Sequence, residues 1–358
     1  MENQPLLPPI SQKIHFWPHL SFRHFNYINP TIGHIRSHGD SASNASSAVE
    51  PVPPAFVVRA PGENRKASSI TEVLVSHVVN AAIFPFKRVK LLMQNQNAII
   101  ESGRLLKPYN GICNCFASTI RNEGLFSLWR GNIALTIGSV SSKVLFLKTL
   151  QHAETRKDES SPGDKLAFVG GLLASQLLNY PFLYASTRMA TDVKTSSSIM
   201  SNRQFHGTFD VFRKTLKSDG IAGPYRGVNI FFVEMCMILA ISIGLKPLER
   251  HYSRHFQNND WAKRTVELGF LIFPSMVCYP LDTVNKRMMM SSCGGDVKYK
   301  SSVHAIAHIW RSEGVKSFYS GASAGILVAA SYKATLLLLV NLVAGIGAST
   351  YSFRWKGA

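Results

Sequence analysis

The chain has 358 residues, of which 46% are hydrophobic and only 17% are charged. Soluble domains usually carry about 25% charged residues, so the composition argues against a set of ordinary soluble domains. The formal net charge of +18 suits an anionic partner such as nucleic acid, a membrane surface or an anionic solute. No zinc-finger spacing, RNP-like strand or long basic helix accompanies this charge, and we therefore predict no nucleic-acid partner.

Residues 1–68 differ from the rest of the chain. They are rich in Ser, Pro, His and Asn and lack a periodic apolar face. This composition predicts either disorder or a cleavable organelle-targeting extension. Several arginines and the Ser-rich stretch 41–47 favour targeting, while Asp40, Glu50 and Glu63 weigh against it. Both alternatives stay open.

Three later segments repeat one motif. Residues 122–131, 218–227 and 312–321 each contain an acidic residue, a Gly, an aromatic residue and a second Gly seven positions after the first. The segments start 96 and 94 residues apart. Upstream of each lies a proline in an apolar stretch, and these prolines are 96 and 99 residues apart. A unit of roughly a hundred residues is therefore repeated three times.

Each repeat contains two long helix candidates, each of which reaches the ~20 residues needed to cross a bilayer. The ionisable residues inside them are expected to face a bundle interior or a water-filled cavity. The proline in each odd-numbered helix should kink it. The six candidates, in chain order, are 70–96, 132–152, 165–192, 228–251, 261–290 and 321–347.

Between the two helices of each repeat lies a shorter amphipathic stretch, such as Val303, Ile306, Ala307 and Trp310 in the third. The three connecting segments carry 14 Lys and Arg against six Asp and Glu. Six spans would place both termini on one side of a membrane and these basic segments on the other. A soluble helical repeat that binds RNA is the alternative, but the nearly uncharged runs 230–245 and 334–346 fit it poorly.

The repeated prolines and motifs resemble the mitochondrial carrier family over about residues 69–345. The resemblance implies an all-α integral membrane protein with six transmembrane helices in three tandem two-helix repeats. It also implies pseudo-threefold symmetry and three short amphipathic helices on the matrix side. The domains expected from it are an extension at 1–68, repeats at 69–160, 161–256 and 257–348, and a tail at 349–358.

Within that family the chain is most similar to the ADP/ATP carriers. The runs 88–98 and 129–132 are close to theirs, and 279–290 matches a run in which those carriers have three Arg followed by three Met. This chain has Asn285 in the first of the three Arg positions. The remaining residues of the marker are Lys286, Arg287, Met288, Met289 and Met290.

The family signature, Pro-x-acid-x-x-base, implies a gate of inter-repeat ion pairs that closes the matrix side. The resemblance places the acid and base positions at Lys87 and Lys90, Leu183 and Ser186, and Asp282 and Asn285. Asp282 would meet Lys90, Lys87 would meet Ser186, and Leu183 would meet Asn285, so one ion pair of three survives. We therefore predict a weakened matrix gate, whose residues are Pro85, Lys87, Lys90, Pro181, Arg188, Pro280, Asp282 and Asn285.

The implied substrate positions also depart from the ADP/ATP carriers, whose Arg and Lys side chains hold phosphates. Neutral residues replace the cations at Asn80, Gly138, Leu239 and Val328, and the pair Glu234-Met235 replaces a Gly-Ile pair. Lys143 and Lys333 are candidates for replacement cations. Glu234 would repel a polyphosphate and attract an amino or cationic solute.

We predict a multi-pass transporter of the mitochondrial inner membrane that exchanges adenine nucleotides by alternating access. No catalytic cluster, metal-ligand spacing or cofactor motif suggests an enzyme, a metal or a cofactor. The expected partners are a small solute and membrane lipids, with anionic lipid at the matrix-side helices, and the expected state is a monomer. The alternatives are a carrier of another solute, a non-transporting membrane protein, and another organelle or the plasma membrane as the location.

Overall fold

The computed structural model describes residues 64–155, 162–194, 203–256, 259–291 and 299–355. The regular structure within these ranges is entirely helical, which confirms the all-α prediction. Residues 1–63, most of the predicted extension, lie outside the described residues. The helices are α1 (Asn64–Glu101), α2 (Ile112–Glu123), α3 (Asn132–Thr155), α4 (Pro162–Thr191), α5 (Thr208–Asp219), α6 (Val228–His255), α7 (Asp260–Val277), α8 (Tyr279–Met290), α9 (Ser302–Glu313) and α10 (Ala322–Trp355).

The first long helix of the third repeat, predicted as one helix over 261–290, is divided in the structure. It forms α7 and α8, which are separated at Cys278. Pro280 has no N–H, so it cannot donate the hydrogen bond that would continue α7. The Cys278 N–H is the last donor of α7 and bonds to Pro274 O at 3.1 Å. Pro85 and Pro181 lie inside the unbroken helices α1 and α4. Two prolines six residues apart therefore break a helix that one proline leaves continuous.

The last helix is longer than predicted. We expected it to end at residue 347 and to be followed by a tail at 349–358, but α10 continues to Trp355. The segment contains no proline, so no residue in it removes a backbone donor and ends the helix.

Both glycines of the repeated motif have a positive φ, which side-chain-bearing residues rarely adopt. The first glycine ends a short helix, and the second precedes the next long helix. The φ angles are 87°, 65° and 78° at Gly124, Gly220 and Gly314, and 93°, 89° and 78° at Gly131, Gly227 and Gly321. The left-handed backbone at both ends of the connecting turn explains the repeated seven-residue spacing.

The second glycine of each motif also lies against the first long helix of the next repeat, which is α4 for Gly131, α8 for Gly227 and α1 for Gly321. A Cβ added at these glycines would lie 2.6 Å from Ser186 O at Gly131, 2.8 Å from Asn285 Oδ1 at Gly227 and 3.1 Å from Lys90 O at Gly321. Repeat 1 therefore packs on repeat 2, repeat 2 on repeat 3, and repeat 3 on repeat 1. We call these contacts the glycine ring.

Apolar side chains point outward along the long helices and on the short ones. On α9 the predicted apolar face includes Val303 and Trp310, which are 76% and 60% exposed, whereas Ala305 and Ile309 pack inward. Among the described residues, two segments are long and apolar enough to cross a bilayer, Gly223–His255 and Val315–Leu339. The charged residues inside helices such as α1 lower their hydropathy, so six spans stay a prediction.

Candidate functional site

A central cavity lies between the long helices of all three repeats. Its wall is mixed, with three lysines and two carboxylates among apolar and aromatic side chains. The lining residues are Phe84, Lys87, Lys90, Leu91, Leu135, Leu183, Ser186, Thr187, Phe231, Glu234, Ile238, Ser275, Met276, Tyr279, Asp282, Lys286, Gly325 and Val328. The structure therefore brings together several residues that the sequence assigns to the gate and to the substrate positions.

An ion pair joins repeat 1 to repeat 3 at the base of the cavity. Lys90 Nζ lies 2.7 Å from Asp282 Oδ2, and Gln94 Nε2 donates to the same oxygen at 3.1 Å. Lys286 Nζ lies 3.6 Å from Asp282 Oδ1. The Lys90 ammonium also lies over the Tyr279 ring, 5.1 Å from its centre. Two lysines and an amide thus converge on the Asp282 carboxylate.

At the other two expected gate pairs the hydrogen bonds go to neutral acceptors instead of carboxylates. Lys87 Nζ donates to Asn80 Oδ1 at 2.5 Å, within its own helix. The Tyr180 hydroxyl donates to Asn285 Oδ1 at 2.9 Å. Leu183 packs in an apolar cluster of the second repeat. These contacts carry less electrostatic energy than an ion pair in a low-dielectric site.

The expected substrate positions divide into two groups. Glu234, which is 1% exposed, and Val328 line the cavity. Gly138 instead lies against α4, where an added Cβ would come within 2.5 Å of both Asn179 Oδ1 and the Phe182 Cβ. No side chain fits at Gly138 without displacing α4, so this position packs helices here. Met235 and Leu239 are half-buried outside the cavity lining.

The two candidate replacement cations also lie outside the cavity lining. Lys143 is 4% exposed and donates a hydrogen bond to Ser76 Oγ between α3 and α1. Lys333 Nζ lies 2.9 Å from Glu267 Oε2 and joins α10 to α7. Sequence reasoning identified both lysines but not these partners, since both contacts depend on how helices distant in the sequence pack.

Within the carrier marker, Lys286 lines the cavity but Arg287 does not. Arg287 is fully buried, and its Nη1 and Nη2 donate to the two Glu313 carboxylate oxygens at 2.8 and 2.9 Å. Met288 and Met289 are buried beside it, and the Met290 carbonyl accepts from Arg188 Nη1 at 2.7 Å. Arg287 therefore joins α8 to the end of α9, and Arg188 joins α4 to the end of α8.

A second buried pair was missed by the sequence reasoning. Arg88 Nη2 donates to Glu123 Oε2 at 2.7 Å, and Arg88 also donates to the carbonyls of Ser127 and Ala190. Glu123 and Glu313 are the acidic residues of the repeated motif. The repetition of this acidic residue could have indicated that it has a structural role. The arginine that pairs with it does not stand at the same position in each repeat, because it follows the signature proline by three residues in repeat 1 and by seven in repeat 3.

We expect Glu313, at the end of α9, to make stability depend on pH. Burial alone would raise its pKa, but hydrogen bonds from Arg287, Ser317 and Asn97 outweigh burial and lower the pKa from 4.5 to about 2. Because the folded pKa is the lower one, the stabilisation is complete above pH 4.5 and is lost as the pH falls from about 4.5 to 2. Thermal unfolding should show a loss of about 2–3 kcal/mol in that window, which Glu313→Gln should largely lack. An equal acid loss in both proteins would contradict this assignment.

All three repeats match a profile of a known protein family. A family profile described as mitochondrial carrier protein matches residues 69–156, 165–253 and 271–346. A mitochondrial ADP,ATP carrier protein 1 of Gossypium hirsutum is 41% identical over 322 residues, which cover 84% of this chain and 81% of the relative. A mitochondrial ADP,ATP carrier protein of Solanum tuberosum is 39% identical, covering 87% and 83%. One from Oryza sativa subsp. japonica is 44% identical over 265 residues, covering 70% and 68%.

Proposed function

The chain belongs to the mitochondrial carrier family, and on that premise we propose that it exchanges adenine nucleotides across the mitochondrial inner membrane. The similar proteins of cotton, potato and rice are named mitochondrial ADP,ATP carriers, which supports both the solute class and the location. The central cavity is the observation that carries the proposal, because it presents Lys87 and Lys286 for an anion beside the Lys90–Asp282 pair.

We further propose a six-span layout in which α1, α3, α4, α6, the α7–α8 unit and α10 cross the membrane. The outward stripe Ile133, Ile137, Val140 and Val144 on α3 supports lipid contact, because it recurs on one face of the helix. The glycine ring supports pseudo-threefold symmetry. The family matches fall within the proposed repeats 69–160, 161–256 and 257–348, which supports those bounds.

In the proposed mechanism the cavity opens to either side of the membrane in turn. On the matrix side, the Lys90–Asp282 pair and Gln94 hold α1 of repeat 1 and α8 of repeat 3 together. Breaking that pair would let the helices separate and release solute to the matrix. At the other two pairs, Lys87 bonds to Asn80 within α1 and Tyr180 bonds to Asn285, so this pair is the main electrostatic restraint between repeats at the gate. We propose that a monomer performs the cycle, with anionic lipid at the basic matrix-side segments.

Reconstitution tests the proposal directly. Purified protein in liposomes preloaded with ADP should take up labelled ATP, and uptake should fall to the background of protein-free liposomes when no internal nucleotide is present. Such a dependence on internal solute is the mark of exchange. Folded, membrane-inserted protein that exchanges no adenine nucleotide would contradict the proposal.

A second candidate is a carrier of an amino or cationic solute, and Glu234 favours it. Its carboxylate lies on the cavity wall, where it would attract a positive group. Uptake of a labelled basic amino acid, lost in Glu234→Gln and without nucleotide exchange, would support this candidate. If the folded protein moves no solute of either class, a non-transporting role in the membrane becomes the better interpretation.

A further inference from the structure

The charges on the cavity wall are not arranged to hold a highly charged polyphosphate. Three lysines line the cavity, but Lys90 and Lys286 both face Asp282, at 2.7 and 3.6 Å. Asp282 therefore offsets part of their positive charge. Lys87, which donates to Asn80, remains as a cation of the wall whose hydrogen bond goes to a neutral group. Glu234 adds a second negative charge to the wall.

The two candidate replacement cations, Lys143 and Lys333, add no positive charge to the cavity wall. Lys333 is paired with Glu267 across α10 and α7. Lys143 is buried between α3 and α1 against Ser76. Neither belongs to the cavity lining. With three lysines and two carboxylates, the lining has a net formal charge of +1.

The rest of the wall suits a flat, partly apolar group. Phe231 and Ile238 lie one turn from Glu234 on α6, and Phe84, Tyr279 and Met276 supply the rest of the apolar lining. A ring placed there can pack against aromatic and aliphatic side chains. A ring that also carries an amino group can donate to the Glu234 carboxylate, which accepts hydrogen bonds but cannot donate them when ionised.

We propose that the preferred solute is a nucleoside monophosphate with an amino-bearing base, an inference that rests on the proposed function and specifies its substrate. A phosphate monoester carries about two negative charges at neutral pH, which Lys87 and the partly offset Lys286 balance in large part. A triphosphate brings about twice that charge into a low-dielectric site that already contains Glu234, and the repulsion is poorly screened there. The ring amine then contacts Glu234, so the same carboxylate attracts one end of the solute and disfavours extra phosphates.

Uptake of labelled AMP, ADP and ATP at equal concentration, each into liposomes preloaded with the same nucleotide, tests the order. We expect AMP to be fastest and ATP slowest, with a difference of about tenfold. Glu234→Gln should reduce this ratio several-fold by raising the relative rate of ATP. Glu249→Gln, the same substitution at the far end of α6 beside Lys246, should leave the ratio unchanged.

A binding measurement on the unaltered protein covers the case in which the variant does not fold. AMP should raise the thermal unfolding temperature more than ATP at the same concentration, since the better ligand stabilises the folded state more. ATP equal to or better than AMP in both assays would overturn this inference while leaving nucleotide exchange intact. Failure of all three nucleotides to exchange or to stabilise the protein would overturn the proposed function as well.

Discussion

Replacing Arg287 with alanine is expected to lower the free energy of unfolding by about 3–5 kcal/mol, because it leaves a buried carboxylate without its partner. The guanidinium is fully buried and makes two hydrogen bonds to Glu313. It also donates to Ser317 Oγ at 3.3 Å. The change therefore disconnects α8 from α9 and the turn that follows. Thermal and denaturant unfolding in detergent, followed by tryptophan fluorescence, measure the loss.

Two comparisons make the experiment specific to the buried pair. Arg311→Ala removes an exposed arginine from α9 itself and should change stability by about 0.5 kcal/mol or less. The double variant Arg287→Met, Glu313→Leu should lose less stability than Arg287→Ala, because it removes both charges and leaves none buried alone. If Arg287→Ala kept full stability and lost only nucleotide uptake, Arg287 would be a ligand and not a structural contact.

Replacing Asp282 with asparagine should open the matrix side of the cavity. The neutral amide cannot balance Lys90 and Lys286, and it breaks the ion pair between repeats 1 and 3. We expect a loss of about 2–3 kcal/mol, below the usual figure for a buried pair, because the Lys90 side chain is 24% exposed. The fully buried Cys278 lies one helical turn away and reports on the opening. In a background with the other cysteines changed to serine, its thiol should react about tenfold faster with a matrix-side reagent.

Asp210→Asn is the matched control for that substitution. Asp210 pairs with Lys214 one turn away on the surface of α5, and exposed pairs of this kind contribute about 0.3–0.5 kcal/mol. Its Cys278 labelling rate should equal that of the starting protein. Unchanged labelling in Asp282→Asn, with full stability, would mean that the pair has no role in closing the cavity.

Local sequence patterns were sufficient for most of the long helices, because the apolar runs predict them. The repeated glycines predicted the three units, but their positive φ angles became known only from the structure. The break at Cys278 was not predicted, because it depends on Pro274 and Pro280 together, whereas the repeated pattern contains one proline per helix. In the same way, α10 extends to Trp355 because no residue stops it.

Contacts in the site could be predicted only where this chain retains both residues of a pair that the family signature defines. The resemblance anticipated the meeting of Lys90 and Asp282, which the structure places 2.7 Å apart. It gave no partner for Lys333, because Glu267 lies outside the signature. It also treated Gly138 as a lost ligand position, whereas packing against Phe182 is what the glycine permits. Side-chain direction and helix-to-helix distance decide such cases, and neither is visible in one sequence.

The glycine ring has a consequence for how the gene could be rearranged. Each repeat contacts the next one and the third contacts the first, so the contacts between repeats form a closed ring. In this ring no repeat has a special first or last position. A circular permutation that cut the chain between two units and rejoined the old ends would preserve every one of these contacts. Deleting or duplicating a single unit would not, because the new neighbours would have to close a circle of a different size.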